Sequence, residues 1–282
     1  MSSTAFNWRF IEQKNVLPGF GLSLGVSVLY ISLIILLPLS ALFVYVSDMT
    51  LAQYWAAITH PRVLASYKTT LTAAFWSTLA ISIIGLLLAW VLTRYDFFGR
   101  RLIDGLIDLP FALPTAVAGL TLATLFAPNG WMGQLLTPLG IQVSFTWYGI
   151  VLAMSFTSLP FIVRSLQPLL ETVEPALEEA ADTLGASPWQ RFSMVIFPIL
   201  LPGLVTGASQ AFIRCLGEFG AVVFIAGNTP YQTEVSSLMI FVRLAEYDYA
   251  SAAAIASVVL AASLLMLFGL QLVQNRLFNK KR

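Results

Sequence analysis

Carboxylates are concentrated in one segment of the chain, residues 171–191, whose residue spacing favours a role in binding another protein. Pro175 suits the first position of a helix, because its missing N–H costs no hydrogen bond there. Gly185 suits the left-handed position just past a helix end. We therefore predict a short helix with a small apolar side and an acidic side, which suits docking into a groove on a partner. The apolar side is Leu177, Ala180, Ala181 and Leu184, and the acidic residues are Glu171, Glu174, Glu178, Glu179 and Asp182.

The residues that follow Gly185 predict a second helix. Ser187 can serve as its N-cap and Gln190 stands three positions later, which is the spacing of a capping box. The apolar run that begins at Phe192 is long enough for this helix to enter a membrane. The segment thus specifies a short helix, a sharp stop and a longer helix.

A second group of polar residues, Thr206, Gln210, Arg214 and Glu218, recurs at steps of four in this longer helix. Residues at that spacing lie on one face, and ionisable residues inside a membrane usually mark a pathway or an ion pair. Two interpretations remain open: Arg214 helps an anion to cross, or Arg214 and Glu218 form a structural pair. The neighbouring stripe consists of small residues, which permit close helix packing, and comprises Gly203, Gly207, Ala211 and Cys215.

The composition indicates that much of the chain lies in lipid. It is 58% hydrophobic and 10% charged, with a mean hydropathy of +0.82, whereas soluble domains carry about 25% charged residues. A net charge of +1 gives no reason to expect a nucleic-acid partner. One cysteine and one histidine exclude an internal disulfide and a multi-histidine metal cluster, and we expect no cofactor.

The apolar runs predict an all-α membrane protein with six spanning helices in a single domain, residues 1–282. A spanning helix needs about 20 mostly apolar residues. The charge-free run from Leu109 to Val163 is too long for one helix and is divided at two Pro- and Gly-containing turns. The predicted spans are 15–47, 69–93, 105–127, 147–170, 192–213 and 249–275.

The distribution of Lys and Arg predicts that both termini lie in the cytoplasm, because loops on that side are enriched in these residues. With the N-terminus inside, ten basic residues fall in cytoplasmic segments and three in outer segments. Segment 171–191 is then cytoplasmic. The ten are Arg9, Lys14, Arg94, Arg100, Arg101, Arg191, Arg276, Lys280, Lys281 and Arg282, and the three are Arg62, Lys68 and Arg243.

Part of this segment resembles the EAA loop of ABC importer permeases. Residues 179–181 read E-A-A, Gly185 follows after three residues, and 195–198 read V-I-F-P, where the family pattern has I-x-L-P. The resemblance implies a type I (MetI-like) permease fold and a coupling helix seated in a cleft of a cytoplasmic ATPase. The residues it implies in coupling are Glu178, Glu179, Ala180, Ala181, Leu184 and Gly185.

This chain is not expected to be an enzyme. A phosphate-binding P-loop needs a Gly-Lys step, which the sequence does not contain, so ATP hydrolysis would belong to a separate subunit. An intramembrane enzyme would need a catalytic constellation, and the only histidine, His60, is predicted outside the spans. A secondary transporter working alone would need no coupling helix.

Four longer segments resemble the sulfate/thiosulfate permease family, and most closely its T-type subunit. The resemblance implies a bacterial inner-membrane complex with a homologous W-type permease, two copies of an ATPase and a periplasmic sulfate- or thiosulfate-binding protein. Molybdate permeases look similar in one of these segments, so a molybdate or related oxyanion permease is the alternative. The segments are residues 16–20, 108–120, 216–221 and 237–243.

Overall fold

A computed structural model of the chain describes residues 19–278, whose regular structure is helical throughout. Predictions that concern residues 1–18 and 279–282 lie outside the described residues, including five of the basic residues used for orientation and the start of the first span. The helices are α1 (Phe20–Ser47), α2 (Leu51–Ile58), α3 (Pro61–Arg94), α4 (Arg100–Ile107), α5 (Leu109–Ala112), α6 (Thr115–Leu125), α7 (Trp131–Leu136), α8 (Trp147–Glu171), α9 (Pro175–Thr183), α10 (Pro188–Leu216), α11 (Gly220–Ile225), α12 (Ser236–Ala245) and α13 (Tyr249–Phe278).

Five of these helices, α1, α3, α8, α10 and α13, are long and apolar enough to cross a membrane. They correspond to five of the six predicted spans, and the all-α membrane architecture is confirmed. Helix α3 begins at Pro61 rather than near residue 69. Arg62 and Lys68 therefore lie in its first turns and not in a loop.

The remaining predicted span, 105–127, is not one continuous helix. It is divided into α4, α5 and α6, and α6 has only 11 residues. The break between α5 and α6 falls at Leu113, whose ψ of 138° is extended. A residue that precedes proline is pushed away from helical geometry, and Pro114 follows Leu113 directly.

The centre of the molecule is a three-helix core of α3, α8 and α10. The small-residue stripe of α10 faces this core, as predicted: Gly207 lies so close to α8 that an added Cβ would meet Ser165 Oγ at 2.2 Å and the Phe161 carbonyl oxygen at 2.9 Å. Such contact maximises van der Waals packing where lipid supplies no hydrophobic driving force. The stripe residues Gly203, Gly207, Ala211 and Cys215 are all buried.

Hydroxyl and thiol groups also join the three core helices. Ser158 of α8 lies 3.3 Å from Cys215 Sγ of α10, and Ser77 of α3 lies 3.0 Å from Ser155 of α8. Hydrogen bonds of this kind hold helices together inside a membrane. Cys215 is fully buried and acts as the small packing residue that its position in the stripe predicts.

Candidate functional site

Helix α9 begins and ends as the sequence predicts. Pro175 is its first residue, and Gly185, just past its end, has a φ of +78°. The Ala186 N–H donates to the Ala181 carbonyl at 3.0 Å, and the Gly185 N–H donates to the Asp182 backbone carbonyl at 3.0 Å. These two bonds form a Schellman motif, which stops the helix sharply.

The next helix, α10, opens with the predicted capping box. The Gln190 N–H donates to Ser187 Oγ at 3.3 Å, and the Ser187 N–H donates to Gln190 Oε1 at 2.8 Å. The chain then forms a π-helical turn, Arg191–Ile196. Such turns are rare and are frequent at functional sites.

The predicted apolar residues of α9 lie along one side of the helix, but they differ in how far they are exposed. Ala181 is buried against the rest of the chain, whereas Leu184 is 88% and Leu177 is 44% exposed. Ala180 and Glu179 are exposed as well. The free surface of α9 is therefore made by Leu177, Ala180 and Leu184, with the Glu179 carboxylate beside them, and Ala181 lies at the edge of this surface that packs against the rest of the chain.

Two carboxylates of α9 form ion pairs with arginines of the same chain, and one of them, Glu178, is mostly covered. Glu178 Oε1 lies 2.7 Å from Arg94 Nη2, and Asp182 Oδ2 lies 2.5 Å from Arg191 Nη1. Arg191 Nε also lies 3.8 Å from Glu178 Oε2. The structure thus separates two residues that the motif places side by side: Glu178 faces its own chain and Glu179 faces outward.

The polar stripe of α10 contains the ion pair that one interpretation requires. Arg214 Nη1 lies 2.6 Å from Glu218 Oε2. Glu218 is 1% exposed, and its other oxygen accepts the Ala221 N–H at 2.9 Å. The Arg214 side chain remains 34% exposed. Glu218 is therefore a buried structural acceptor, whereas Arg214 also reaches an open surface.

The rest of the stripe continues along that open surface. Gln210 is exposed, and Thr206 is half-buried with its hydroxyl donating to the Pro202 carbonyl at 2.8 Å. From Gln210 onward, the stripe becomes more buried toward Glu218. Its exposed part, Gln210 and Arg214, offers amide and guanidinium donors, which are the groups that bind oxyanions.

Sequence reasoning missed the partners of Arg164 of α8, which are Asp104 of α4 and Asp108 just past the end of α4. Its guanidinium lies 2.7 Å from Asp104 and makes a two-bond contact with Asp108 at 2.8 and 2.5 Å. Gln167 donates to Asp104 at 2.9 Å, and this bond, reinforced by Arg164, lowers the pKa of the Asp104 carboxyl. The available signal was the i, i+4 spacing of the two aspartates, because an arginine in a span needs a partner.

A further ion pair lies where α3 begins. Arg62 Nε donates to Glu234 Oε2 at 2.8 Å and Arg62 Nη2 donates to Oε1 at 2.5 Å. Glu234 is only 2% exposed. This two-bond contact fastens the segment before α12 to the first turn of α3, and no local sequence pattern indicated it.

Comparison with known proteins agrees with this architecture. The family model described as "Binding-protein-dependent transport system inner membrane component" matches residues 81–279. The sulfate transport system permease protein CysT of Escherichia coli K12 is 58% identical over 266 residues, which cover 94% of this chain and 96% of that protein. The protein of the same name in Synechococcus elongatus is 48% identical over 246 residues, covering 87% and 88%.

Solved structures with similar folds are membrane transporters. A chain of the bacterial alginate ABC transporter, in complex with an alginate pentasaccharide-bound periplasmic protein, aligns with a TM-score of 0.77 and 18% identity over 91% of this chain and 93% of that one. The inward-facing MetNI methionine ABC transporter gives 0.59 and 18% over 81% and 99%. These likenesses concern the fold. The family match and the sequence identity to named permeases show that the chain belongs to the inner-membrane components of binding-protein-dependent transport systems, the permease subunits of ABC importers.

Proposed function

We propose that this chain forms one half of the pathway by which an ATP-driven importer carries sulfate or thiosulfate across the inner membrane. The observation that carries the proposal is the 58% identity, over 94% of the chain, to a sulfate transport system permease. The exposed Arg214 guanidinium on the polar face of α10 supports an anionic substrate, because guanidinium groups bind oxyanions with charge-assisted hydrogen bonds.

The proposed complex contains a homologous W-type permease, two copies of a cytoplasmic ATPase and a periplasmic sulfate- or thiosulfate-binding protein. This chain itself is non-catalytic, since it lacks the Gly-Lys step of a P-loop. Both of its termini lie in the cytoplasm, on the side of α9. Membrane lipid covers the outer faces of the spans, and no nucleic acid is involved.

The coupling site in this proposal lies within segment 171–191 and comprises Glu178, Glu179, Ala180, Ala181, Leu184 and Gly185. The exposed face of α9, formed by Leu177, Glu179, Ala180 and Leu184, docks in a cleft of the ATPase, and the stop at Gly185 sets the angle between α9 and α10. An amphipathic helix in a groove is a common recognition mode. Ala181 and Glu178 contribute from the inner side by holding α9 in place.

The docking role of Glu179 is testable by reversing its charge. Glu179→Lys is expected to reduce the amount of ATPase that co-purifies with the permease, because it places the opposite charge in a small contact. Glu171→Lys makes the same change at an exposed position outside α9 and is expected to leave co-purification unchanged. Equal co-purification in both variants would show that this face of α9 does not dock the ATPase.

The translocation pathway in this proposal follows the stripe Thr206, Gln210, Arg214 and Glu218. Arg214 and Gln210 present donors to the anion, and Glu218 holds Arg214 in position from its buried site. Alternating access would expose this face to one side of the membrane and then to the other as the ATPases close and separate.

Deletion of the gene tests the substrate. A strain without this chain is expected to lose growth on sulfate as sole sulfur source, to grow normally on cysteine, and to recover when the chain is supplied on a plasmid. Unchanged uptake of labelled sulfate by the deletion strain would contradict the proposal. The molybdate alternative predicts instead that labelled molybdate uptake is lost and sulfate uptake is retained.

A further inference from the structure

We propose that Glu178 is a positioning residue which, together with Arg94 and Arg191, clamps α9 to the membrane helices α3 and α10, so that movement of α9 is transmitted to them. The inference rests on the proposed coupling function of segment 171–191. It gives Glu178 a role different from that of its neighbour Glu179, which faces outward.

The clamp occupies one face of α9. Glu178, Ala181 and Asp182 stand at positions i, i+3 and i+4, which lie side by side on a helix. Ala181 packs inward. Glu178 forms an ion pair with Arg94, and Asp182 forms one with Arg191. The opposite face, which carries Ala180, remains exposed. One side of α9 is thus attached to its own chain while the other side is free for a partner.

The two arginines belong to a single packed unit of the membrane core. Arg94 is the last residue of α3, and its guanidinium carbon lies 5.4 Å from the centre of the Trp90 ring. Trp90 in turn packs edge-to-face on Phe192, with ring centroids 5.4 Å apart, and Phe192 follows Arg191 in the π-helical turn of α10. The cation–π contact fixes the Arg94 side chain, and the aromatic contact joins α3 to the residue that follows Arg191.

Glu178 is the point at which these connections meet, because its two oxygens face different arginines. Arg94 approaches one oxygen at 2.7 Å and Arg191 approaches the other at 3.8 Å. Glutamine keeps the size of the side chain and an acceptor oxygen. Glu178→Gln is therefore expected to leave the fold intact and to loosen the attachment of α9.

The test uses the whole complex in proteoliposomes, with ATP hydrolysed per sulfate imported as the readout. Glu178→Gln is expected to retain the co-purifying ATPase and to raise this ratio at least about fivefold, the lower end of typical coupling between linked sites. Glu174→Gln removes the same charge from an exposed position on the same segment and is expected to leave the ratio unchanged.

Variants of Arg94 distinguish a clamp from a general effect of the Glu178 substitution. Arg94→Gln is expected to raise the ratio as Glu178→Gln does, and the double variant to be no worse than either, because both remove one shared interaction. Arg94→Lys keeps the charge and is expected to retain most of the coupling.

Two results would overturn the clamp: a normal ratio in Glu178→Gln, or loss of the ATPase from that variant, which would place Glu178 in the docking surface. Failure of the proposed substrate is visible separately, as absence of sulfate import by the unaltered complex. In that case the clamp is tested by the rate of ATP hydrolysis alone. The binding protein is expected to stimulate this rate in Glu174→Gln and to have no effect on it in Glu178→Gln.

Discussion

Arg214 and Glu218 form one ion pair, yet the two side chains have different surroundings and different partners. Glu218 is buried and also accepts the Ala221 N–H, so one oxygen of its carboxylate supports the start of α11 while the other pairs with Arg214. Arg214 is partly exposed on the polar face. A substitution that tests transport must therefore preserve the acceptor at position 218 while it removes both charges.

The double variant Arg214→Leu/Glu218→Gln meets this condition. The amide oxygen of glutamine still accepts the Ala221 N–H, and no charge is left unpaired, so we expect normal assembly. Sulfate uptake per assembled complex is expected to fall at least about tenfold, the effect of roughly 1.4 kcal/mol in binding or barrier height. Near-normal uptake by this variant would leave the pair with a structural role only.

The single variant Arg214→Leu provides the comparison for stability. It leaves the Glu218 carboxylate buried without its cation, a change that costs about 3–5 kcal/mol when a buried pair is broken. We expect less assembled complex than for the double variant, as measured by the amount recovered after purification. Arg214→Lys retains the charge and is expected to assemble normally.

At the scale of helices, the stop between α9 and α10 depends on the left-handed conformation of Gly185. A Cβ at this position would meet nothing within 4 Å, so any effect of substitution is conformational rather than steric crowding. Left-handed geometry costs an L-residue about 1–2 kcal/mol, and β-branched residues are the least tolerant.

Gly185→Val is accordingly expected to insert into the membrane and to lose sulfate import, because the angle between α9 and α10 changes. Asn tolerates the left-handed region, so Gly185→Asn is the matched control and is expected to retain import. Import measured per assembled complex decides the point. Equal import by the two variants would mean that this conformation does not matter for coupling.

The contact between α8 and α10 depends on Gly207, which has no space for a side chain. Gly207→Ala is expected to lower the Tm of the purified protein, since overpacking costs about 1–3 kcal/mol. Gly269 of α13 is a helical glycine with nothing within 4 Å of an added Cβ. Gly269→Ala is expected to leave the Tm unchanged or higher, because alanine favours helix. A Tm unaffected by Gly207→Ala would contradict the close packing.

Helices whose ends depend on local sequence rules were predictable from the sequence. The division of the predicted span 105–127 into α4, α5 and α6 was not. Pro175, Gly185 and the Ser187 cap act within a few residues of themselves, so their effect on α9 and α10 could be read directly. Proline within a span gives no such certainty: α8 continues through Pro160 and Pro168, whereas the chain breaks before Pro114. Tertiary packing decides between these outcomes.

Across the whole molecule, ion pairs connect segments that are distant in sequence. Arg94 meets Glu178, Arg62 meets Glu234, and Arg164 meets Asp104. Each joins residues more than one helix apart, so the distance along the chain between the two partners could not identify the pair. The sequence therefore predicted the residues of α9 and the polar stripe, but not which carboxylates turn inward.

The proposed orientation in the membrane predicts which side each loop faces. In a background with buried Cys215 replaced by Ala, a cysteine at exposed Glu171 is expected to react with an impermeant maleimide only from the cytoplasmic side. A cysteine at Trp131, which is 82% exposed, is expected to react only from outside. The physical reason is the excess of Lys and Arg in the cytoplasmic segments. Reversed labelling would place α9 outside and remove it from any contact with ATPase.

The most direct test of the central claim is uptake of labelled sulfate by proteoliposomes that contain the complete complex, with and without ATP. The account predicts ATP-dependent accumulation of sulfate that requires both this chain and the binding protein. Excess unlabelled sulfate is expected to abolish this accumulation, and excess molybdate is expected to leave it largely unchanged. Accumulation that proceeds without this chain, or that follows molybdate rather than sulfate, would contradict the account.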